Sequence, residues 1–160
     1  MPATTLEKAE VLEQMAANPA VAALSSLLID ARFALNELTI TVPKDQIVAA
    51  VKAVQAAGYN FMEDVTCVDW YPSEPRFHVT YHILSHSLKE RVRLIAPVGS
   101  EDLSIDSITS VWPAANFYER EVFDLFGVHF GGHPNLRRIM MPDDWAGHPL
   151  RKDYPVEGYR

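Results

Sequence analysis

Apolar and polar residues recur with two different periods along the chain. In residues 47–54 the apolar side chains recur every three or four positions, which is the spacing of a helix with one buried face. In residues 38–42 leucine, isoleucine and valine alternate with threonine, which is typical of a strand with one buried face. The chain is therefore predicted to contain both helices and strands.

Similar patterns, together with turn and cap residues, predict the remaining elements. A helix-favouring stretch begins at Thr4 or Thr5 and should end at Asn18-Pro19, and Gly58 stands where a second helix should end. In chain order we predict a helix within residues 4–15, a hairpin of residues 27–35 and 38–42, a helix over residues 44–55, and strands over residues 61–70, 76–86 and 88–95.

This order of elements is typical of an α+β domain in two layers, with helices on one face of a mixed or antiparallel sheet. The composition then changes, because residues 127–160 hold five of the seven glycines and four of the eleven prolines. We therefore predict an α+β domain over residues 1–126 and an extended, irregular C-terminal tail over residues 127–160 that has no core of its own.

Composition narrows the range of functions. The 160 residues are enough for one domain, and the formal net charge of −7 argues against a nucleic-acid partner. The single cysteine, Cys67, cannot form an internal disulfide or by itself hold an iron–sulfur cluster or a structural zinc. We therefore expect a reducing compartment and no redox centre in this chain. We also expect no membrane span, secretory signal or transit peptide.

Two groups of histidines raise the question of a metal site. His78, His82 and His86 are four residues apart in a predicted strand, where ~13 Å separates such positions, so they share a face without meeting at one metal. Glycines and a proline beside His133 keep it from sharing a helix face with His129. The sequence also lacks a phosphate loop and a dinucleotide fingerprint, so we predict no metal, cofactor or catalytic site.

The most informative segment is a predicted helix that begins at Asn116. Asn116 can serve as its N-cap with Glu119 in the capping-box position, and Gly127 can close its far end. Arg120 and Asp124 are four residues apart and should pair on its surface. Because the rest of this helix is apolar nearly all round, we favour a role as a partner surface over burial in the chain's own core.

Glu119 points into the apolar side of this helix, where an unpaired carboxylate is costly. One interpretation is that its carboxylate only caps the helix. The other is that a guanidinium, from Arg137, from Arg138 or from a partner, meets the carboxylate when an assembly forms.

The segment around this helix resembles a known family. The run Glu-Arg-Glu-Val-Phe-Asp-Leu-Phe-Gly that starts at Glu119, and the run His-Pro-Leu-Arg-Lys-Asp-Tyr-Pro that starts at His148, closely resemble the signature of the thirty-kilodalton subunit of NADH:quinone oxidoreductase. This enzyme is respiratory complex I. Trp112-Pro113 also fits that family, whereas residues 1–60 resemble it only in the order of their elements.

The resemblance implies a subunit with no active site and no cofactor of its own. Such a subunit scaffolds the quinone-site subunit in the peripheral arm, its tail lies along neighbouring subunits, and FMN and iron–sulfur clusters are held by partner subunits. The implied location is the cytoplasmic face of the bacterial inner membrane, which the chain reaches only through the assembly.

Fifteen positions carry the family pattern and are predicted to contact partners or to anchor the tail. None is predicted to be catalytic. They are Glu119, Arg120, Glu121, Asp124, His133, Pro134, Arg137, Arg138, Trp145, Pro149, Leu150, Arg151, Lys152, Asp153 and Tyr154.

Two alternatives stay open beside this interpretation. Equivalent scaffold subunits occur in membrane-bound hydrogenases and in other quinone-reducing relatives, which would keep the architecture and change the reaction. An independent metal-binding enzyme built on the histidines is less favoured, and it would require a stoichiometric metal in the isolated chain.

Overall fold

The computed structural model describes residues 5–159 of the chain. Its strands are β1 (Asp30–Ala34), β2 (Glu37–Thr41), β3 (Phe61–Asp69), β4 (Phe77–Ser85), β5 (Glu90–Val98), β6 (Ser104–Asp106) and β7 (His129–Gly131). Its helices are α1 (Lys8–Gln14), α2 (Pro19–Leu24), α3 (Ile47–Ala56) and α4 (Ala115–Phe126), and a short 3₁₀ turn, Lys44–Gln46, leads into α3. None of the helices within residues 5–159 is long and apolar enough to cross a membrane.

Five strands form one mixed sheet in the order β1-β2-β5-β4-β3. β2 and β5 run parallel, whereas the other neighbouring strands are antiparallel. The hairpin β1–β2 turns at Leu35 and Asn36, whose φ angles of 53° and 63° lie in the left-handed region. The N-terminal hairpin therefore joins the rest of the sheet through β5, the last strand of the β3–β4–β5 meander.

One face of the sheet forms the core of the domain. Leu38, Tyr81 and Leu94 on this face are at most 4% exposed, and buried residues of all four helices join them in one apolar cluster. The opposite face carries polar side chains such as His82 and Arg93, which are hydrogen-bonded to each other at 3.1 Å. This is the two-layer α+β arrangement that the sequence predicts.

The long elements agree with the sequence pattern within a few residues, but the N-terminal region differs. α1 already ends at Gln14, before the predicted stop at Asn18-Pro19. Asn18-Pro19 instead begins α2, because the Asn18 side chain accepts hydrogen bonds from the backbone N–H groups of Ala20 and Val21. α1 begins at Lys8 rather than at Thr5. Thr4, the other predicted cap, lies outside the described residues.

The domain extends further than the predicted boundary at residue 126. β7 pairs in parallel with β6, and Val128 and Phe130 are at most 1% exposed within the core. The glycines around β7 give it the composition of an irregular segment although it completes a second, two-stranded sheet. We therefore use "the tail" below for residues 132–159, which contain no helix or strand.

The first histidine group lies along the outer face of β4, away from the core. The ring of His78 packs near Trp70, and His82 Nδ1 lies 2.6 Å from a carboxylate oxygen of Asp64. His86 follows the end of β4 and contacts the ring of Phe61. Within residues 5–159, no three histidine, cysteine, aspartate or glutamate side chains are grouped as a metal site requires.

Candidate partner interface

α4 lies against β3 and connects the core to the tail. Its N-cap is Ala114, which provides no side-chain cap, and Asn116 is already the second helical residue. The prediction of Asn116 as N-cap is therefore wrong. At the other end Gly127 has a φ of 78°, and its N–H donates to the carbonyl of Phe123 at 2.9 Å, which closes the helix as predicted.

Glu119 is fully buried and contacts the segment that precedes α4. Its two carboxylate oxygens accept hydrogen bonds from Ser107 Oγ at 2.6 Å and from the Ile108 N–H at 2.7 Å. The capping-box prediction is wrong. In the chain by itself neither Arg137 nor Arg138 meets this carboxylate, because Arg138 pairs with Asp124 and Arg137 is exposed. Burial raises the pKa of Glu119 to about 7, although both hydrogen bonds act in the opposite direction.

Asp124 is also fully buried and fixes a bend of the tail. One carboxylate oxygen accepts three successive backbone N–H groups, from Ile139, Met140 and Met141, at 2.7–2.9 Å. The other accepts the guanidinium of Arg138 at 2.6 Å. Burial raises the pKa of Asp124, but these donors more than offset it, so the pKa lies below its ordinary value. We call this group the Asp124 anchor.

The predicted surface pair between Arg120 and Asp124 does not form. Asp124 faces the bend of the tail, so Arg138 of the tail takes the place of the arginine on the same helix. Arg120 instead donates to the carbonyl oxygens of Arg137 and Arg138 at 3.1 and 3.2 Å. Both arginines thus connect α4 to the tail.

Arg76, immediately before β4, connects the end of the tail to the sheet. Its guanidinium lies between Asp69 and Asp153 and donates two hydrogen bonds to each carboxylate, at 2.7–3.0 Å. The N–H of Lys152 also donates to Asp69, at 2.7 Å. Burial raises the pKa of Asp69, but Arg76 and the backbone donors outweigh it and bring the pKa to about 2. We call these three charged residues the Arg76 clasp.

Between these two attachments, Arg151 and His148 close over the end of α4. Arg151 Nε donates to the carbonyl of Phe126 at 2.6 Å, and His148 Nδ1 donates to the carbonyl of Asp124 at 2.8 Å. A Cβ atom at Gly127 would lie 2.7 Å from the His148 ring and would also collide with Arg151. Glycine is therefore required there both for its φ angle and for this close approach.

Comparison with known proteins assigns this fold and tail to a family. The model of the 30 kDa subunit family of the respiratory-chain NADH dehydrogenase matches residues 40–160. The chain belongs to this family. The resemblance of the α4 and tail sequences to the thirty-kilodalton subunit is thereby confirmed.

Individual relatives of this 30 kDa family member agree with that assignment. The homologous subunit of the NADH-quinone oxidoreductase of Citrifermentans bemidjiense is 47% identical over 135 residues, which cover 84% of each chain. The same subunit of Geobacter sulfurreducens is 48% identical over 133 residues, which cover 82% of each chain.

Two solved structures are similar to this chain. A trypsin-resistant fragment of Nqo5 is 33% identical with a TM-score of 0.60, over 64% of this chain and 84% of the fragment. A chain of the membrane-bound sulfane sulfur reductase, an archaeal respiratory membrane complex, is 29% identical with a TM-score of 0.66. That match covers 76% of this chain and 73% of the other.

In this 30 kDa family member, the fifteen predicted contact positions differ in exposure. The side chains of Glu119, Asp124 and His133 have no accessible surface, so they shape the chain itself and cannot touch a partner directly. The half-buried positions are Arg120, Arg138, Pro149, Arg151 and Tyr154. The exposed positions are Glu121, Pro134, Arg137, Trp145, Leu150, Lys152 and Asp153.

Several residues of this site are absent from the sequence-based prediction. Asp69 and Arg76 form the clasp, and Ser107 meets the buried Glu119. A signal for Asp69 was available, because it continues the alternation of the core-facing Val65 and Cys67 and so falls on the buried face of β3. A carboxylate at such a position indicates a specific partner.

Proposed function

We propose that this chain is a non-catalytic subunit of the peripheral arm of a proton-translocating NADH:quinone oxidoreductase, where it holds the quinone-site subunit. Membership of the 30 kDa family supports a place in such a complex. The observation that carries the finer proposal is the orientation of the tail, in which Arg138, Arg151 and Asp153 contact the domain while large apolar side chains face outward.

The inward contacts of the tail are mostly polar, although Leu136 packs against the apolar core. Arg138 reaches Asp124, Arg151 reaches the end of α4, and Asp153 reaches Arg76. The outward side is different, because six large apolar residues of the tail are at least 40% exposed, and three of them, 41–62% exposed, lie within residues 140–150. We call these the outer tail residues: Met140, Trp145 and Leu150. Exposed apolar residues that flank a polar framework favour a protein contact, and the quinone-site subunit is the partner that we propose for it.

In the proposed complex, partner subunits hold FMN and the iron–sulfur clusters. Cys67, the only cysteine of the chain, is 5% exposed, and burial raises the pKa of its thiol to about 12. A thiol in that state is a poor metal ligand, because the thiolate is the form that binds metals. The proposed position is the cytoplasmic face of the bacterial inner membrane, with attachment only through the assembly.

The first test is an affinity purification of the tagged 160-residue chain from gently solubilised membranes of its source. We expect the flavin, iron–sulfur and quinone-site subunits in the eluate by mass spectrometry, together with NADH:quinone reductase activity. Recovery of the chain alone would contradict the proposal, and a stoichiometric metal in that lone chain would favour the independent enzyme.

A matched pair of variants tests the outer tail residues. Leu150→Asp places a charge on the proposed contact, whereas Leu35→Asp places the same charge at the tip of the β1–β2 hairpin, where Leu35 is 78% exposed. We expect Leu150→Asp to lose the quinone-site subunit from the eluate and Leu35→Asp to retain it, because burying an unpaired charge at an interface is costly. Equal recovery of the quinone-site subunit with both variants would show that its contact with this chain does not involve Leu150.

A second candidate is the equivalent subunit of a complex with another reaction, such as a membrane-bound hydrogenase or another quinone-reducing relative. The similarity to a chain of the sulfane sulfur reductase complex favours keeping this candidate. The same purification separates the two, because a hydrogenase-type module without NADH-driven activity would preserve the scaffold role and change the reaction.

A further inference from the structure

Three carboxylates are buried in the described part of the chain, and one of them differs from the other two. Asp69 and Asp124 each pair with an arginine at 2.6–2.8 Å. Glu119 receives only the Ser107 hydroxyl and the Ile108 N–H, and neither of these groups carries a positive charge. An ionised Glu119 would therefore be a buried charge without compensation.

His133 comes closest to supplying that charge, with its Nε2 3.9 Å from a Glu119 carboxylate oxygen. Its hydrogen bonds show that it is neutral. Nε2 lies 3.1 Å from the carbonyl of Asn116, which can only accept, and Nδ1 lies 3.0 Å from the N–H of Asn135, which can only donate. Burial also lowers the pKa of His133, so the contact with Glu119 is not an ion pair.

The strands packed against α4 add no cation. Tyr81 on β4 is fully buried, and its hydroxyl has no hydrogen-bond partner among residues 5–159. Burial raises the pKa of Tyr81, and Glu119 and Cys67 raise it further. Burial likewise raises the pKa of Cys67, which interacts with Tyr81, so both of these groups are neutral near pH 7.

A chain of hydroxyl groups connects Glu119 to a more exposed position. Ser107 Oγ is 2.6 Å from the Glu119 carboxylate and 2.8 Å from Thr109 Oγ1, and Thr109 is half-buried. A hydroxyl can donate and accept at once, so this chain satisfies Glu119 in either protonation state simply by reversing the direction of its hydrogen bonds.

We propose that Glu119 is a buried proton-binding site, which holds its proton in the folded chain at mildly acidic pH and exchanges that proton with solvent through Ser107 and Thr109. This site is a property of the chain alone and does not depend on the proposed assembly. Ionisation of Glu119 would place a charge between residues 107–109, α4 and His133. This charge would weaken the packing at the point where the tail leaves the domain.

The sign of the pH effect follows from the buried position. The pKa of about 7 in the folded chain exceeds the ordinary value of 4.5, so the folded state holds a proton that the unfolded state has lost. The stabilising contribution of Glu119 is complete below pH 4.5 and disappears as the pH rises towards 7.

The direct test is a ¹³C NMR titration of the Glu119 carboxyl carbon in the wild-type chain of 160 residues, assigned through bonds. We expect a midpoint near 7. A midpoint at or below 4.5 would show that Glu119 is ionised in the folded chain and would overturn the proposal. This titration needs no variant, so a failure of any variant to fold does not affect it.

The second test compares unfolding of the wild-type chain with Glu119→Gln across the same pH range. A glutamine can replace both hydrogen bonds without a charge, so the ratio of wild-type to variant unfolding constants should rise by about tenfold per pH unit between pH 5 and 6.5. Taking the ratio cancels the opposite contributions of the buried histidines.

Glu121→Gln, on the exposed side of the same helix, is the matched control, and we expect its ratio to stay flat. A flat ratio for Glu119→Gln as well would overturn the proposal.

Discussion

The domain of residues 5–131 and the tail of residues 132–159 are held in place by different kinds of interaction. The domain buries one continuous apolar cluster between its helices and one face of the sheet. The tail is attached mainly by the Asp124 anchor, the Arg76 clasp and the contacts of Arg151 and His148 with the end of α4. Its attachment therefore depends on charges and backbone groups, whereas the domain depends on apolar burial.

This difference has a consequence for how each region responds to change. Apolar burial is non-directional and spread over many residues, whereas a buried polar contact fails when one partner is removed. We therefore expect single polar substitutions to release the tail while the domain stays folded. The outer tail residues join this attachment through their backbone groups, so their side chains remain available for a partner surface.

Among the variants that weaken the attachment of the tail, Asp124→Ala is expected to have the largest effect. This change leaves the Arg138 guanidinium and three backbone N–H groups without their buried acceptor, and such a loss costs about 3–5 kcal/mol. We expect trypsin to cut the tail rapidly after Arg137 and Arg138 under native conditions, while a domain fragment survives. Limited proteolysis with mass spectrometry gives both readouts.

Two further variants show whether this effect is specific to the tail. Asp143→Ala removes the same charge from an exposed position of the tail and should change the free energy of unfolding by no more than about 0.5 kcal/mol. Leu94→Ala opens a cavity in the core and should destabilise the domain itself by about 2–5 kcal/mol. If trypsin instead degraded the domain fragment of Asp124→Ala as well, the domain would not stay folded without the attached tail.

A smaller effect is expected from Gly127→Ala. The positive φ angle costs about 1–2 kcal/mol for any residue with a Cβ, and the added atom also displaces His148 and Arg151. Gly132→Ala is the matched control, because Gly132 has a similar φ of 75° but no atom within 4 Å of an added Cβ. Chemical denaturation should show the larger loss for Gly127→Ala, and equal losses would mean that the tail contact contributes nothing.

The smallest effect is expected from Asp153→Asn. The Asp153 side chain is 45% exposed, and Arg76 keeps its buried partner Asp69, so we expect a loss of about 0.5–1 kcal/mol. The loss should shrink as salt is added, since solvent ions screen a half-exposed pair. Denaturation at low and high salt checks this, and a large loss that does not depend on salt would show that the clasp acts as a buried unit.

The periodic parts of the domain could be predicted from the sequence. α3, the β1–β2 hairpin and strands β3–β5 show clear helical or alternating patterns, because each presents one face to the core. α2 was missed because it has only six residues and because Asn18-Pro19 was interpreted only as a stop signal. β7 was missed because three residues flanked by glycine carry almost no pattern.

The contacts of the candidate interface were harder to predict, because they connect distant parts of the chain. Arg76 and Asp153 are 77 positions apart, and Glu119 meets residues 11 and 12 positions before it. Local spacing favoured a capping box and a pair of Arg120 with Asp124, but tertiary contacts replaced both. The importance of α4 and the tail was nevertheless evident, since the resemblance to the 30 kDa family rests on their residues.

The way in which Asp124 holds the tail has an evolutionary consequence. The carboxylate recognises the main chain at residues 139–141, and the side chains of Ile139 and Met140 extend into solvent. The side chains at these positions are therefore not needed to hold the tail in place. They can change to complement the surface of whichever partner covers them. Proline is the exception, because it lacks the N–H that the carboxylate binds. A single aspartate thus allows the side chains of the neighbouring surface to change in evolution while their backbone keeps its position.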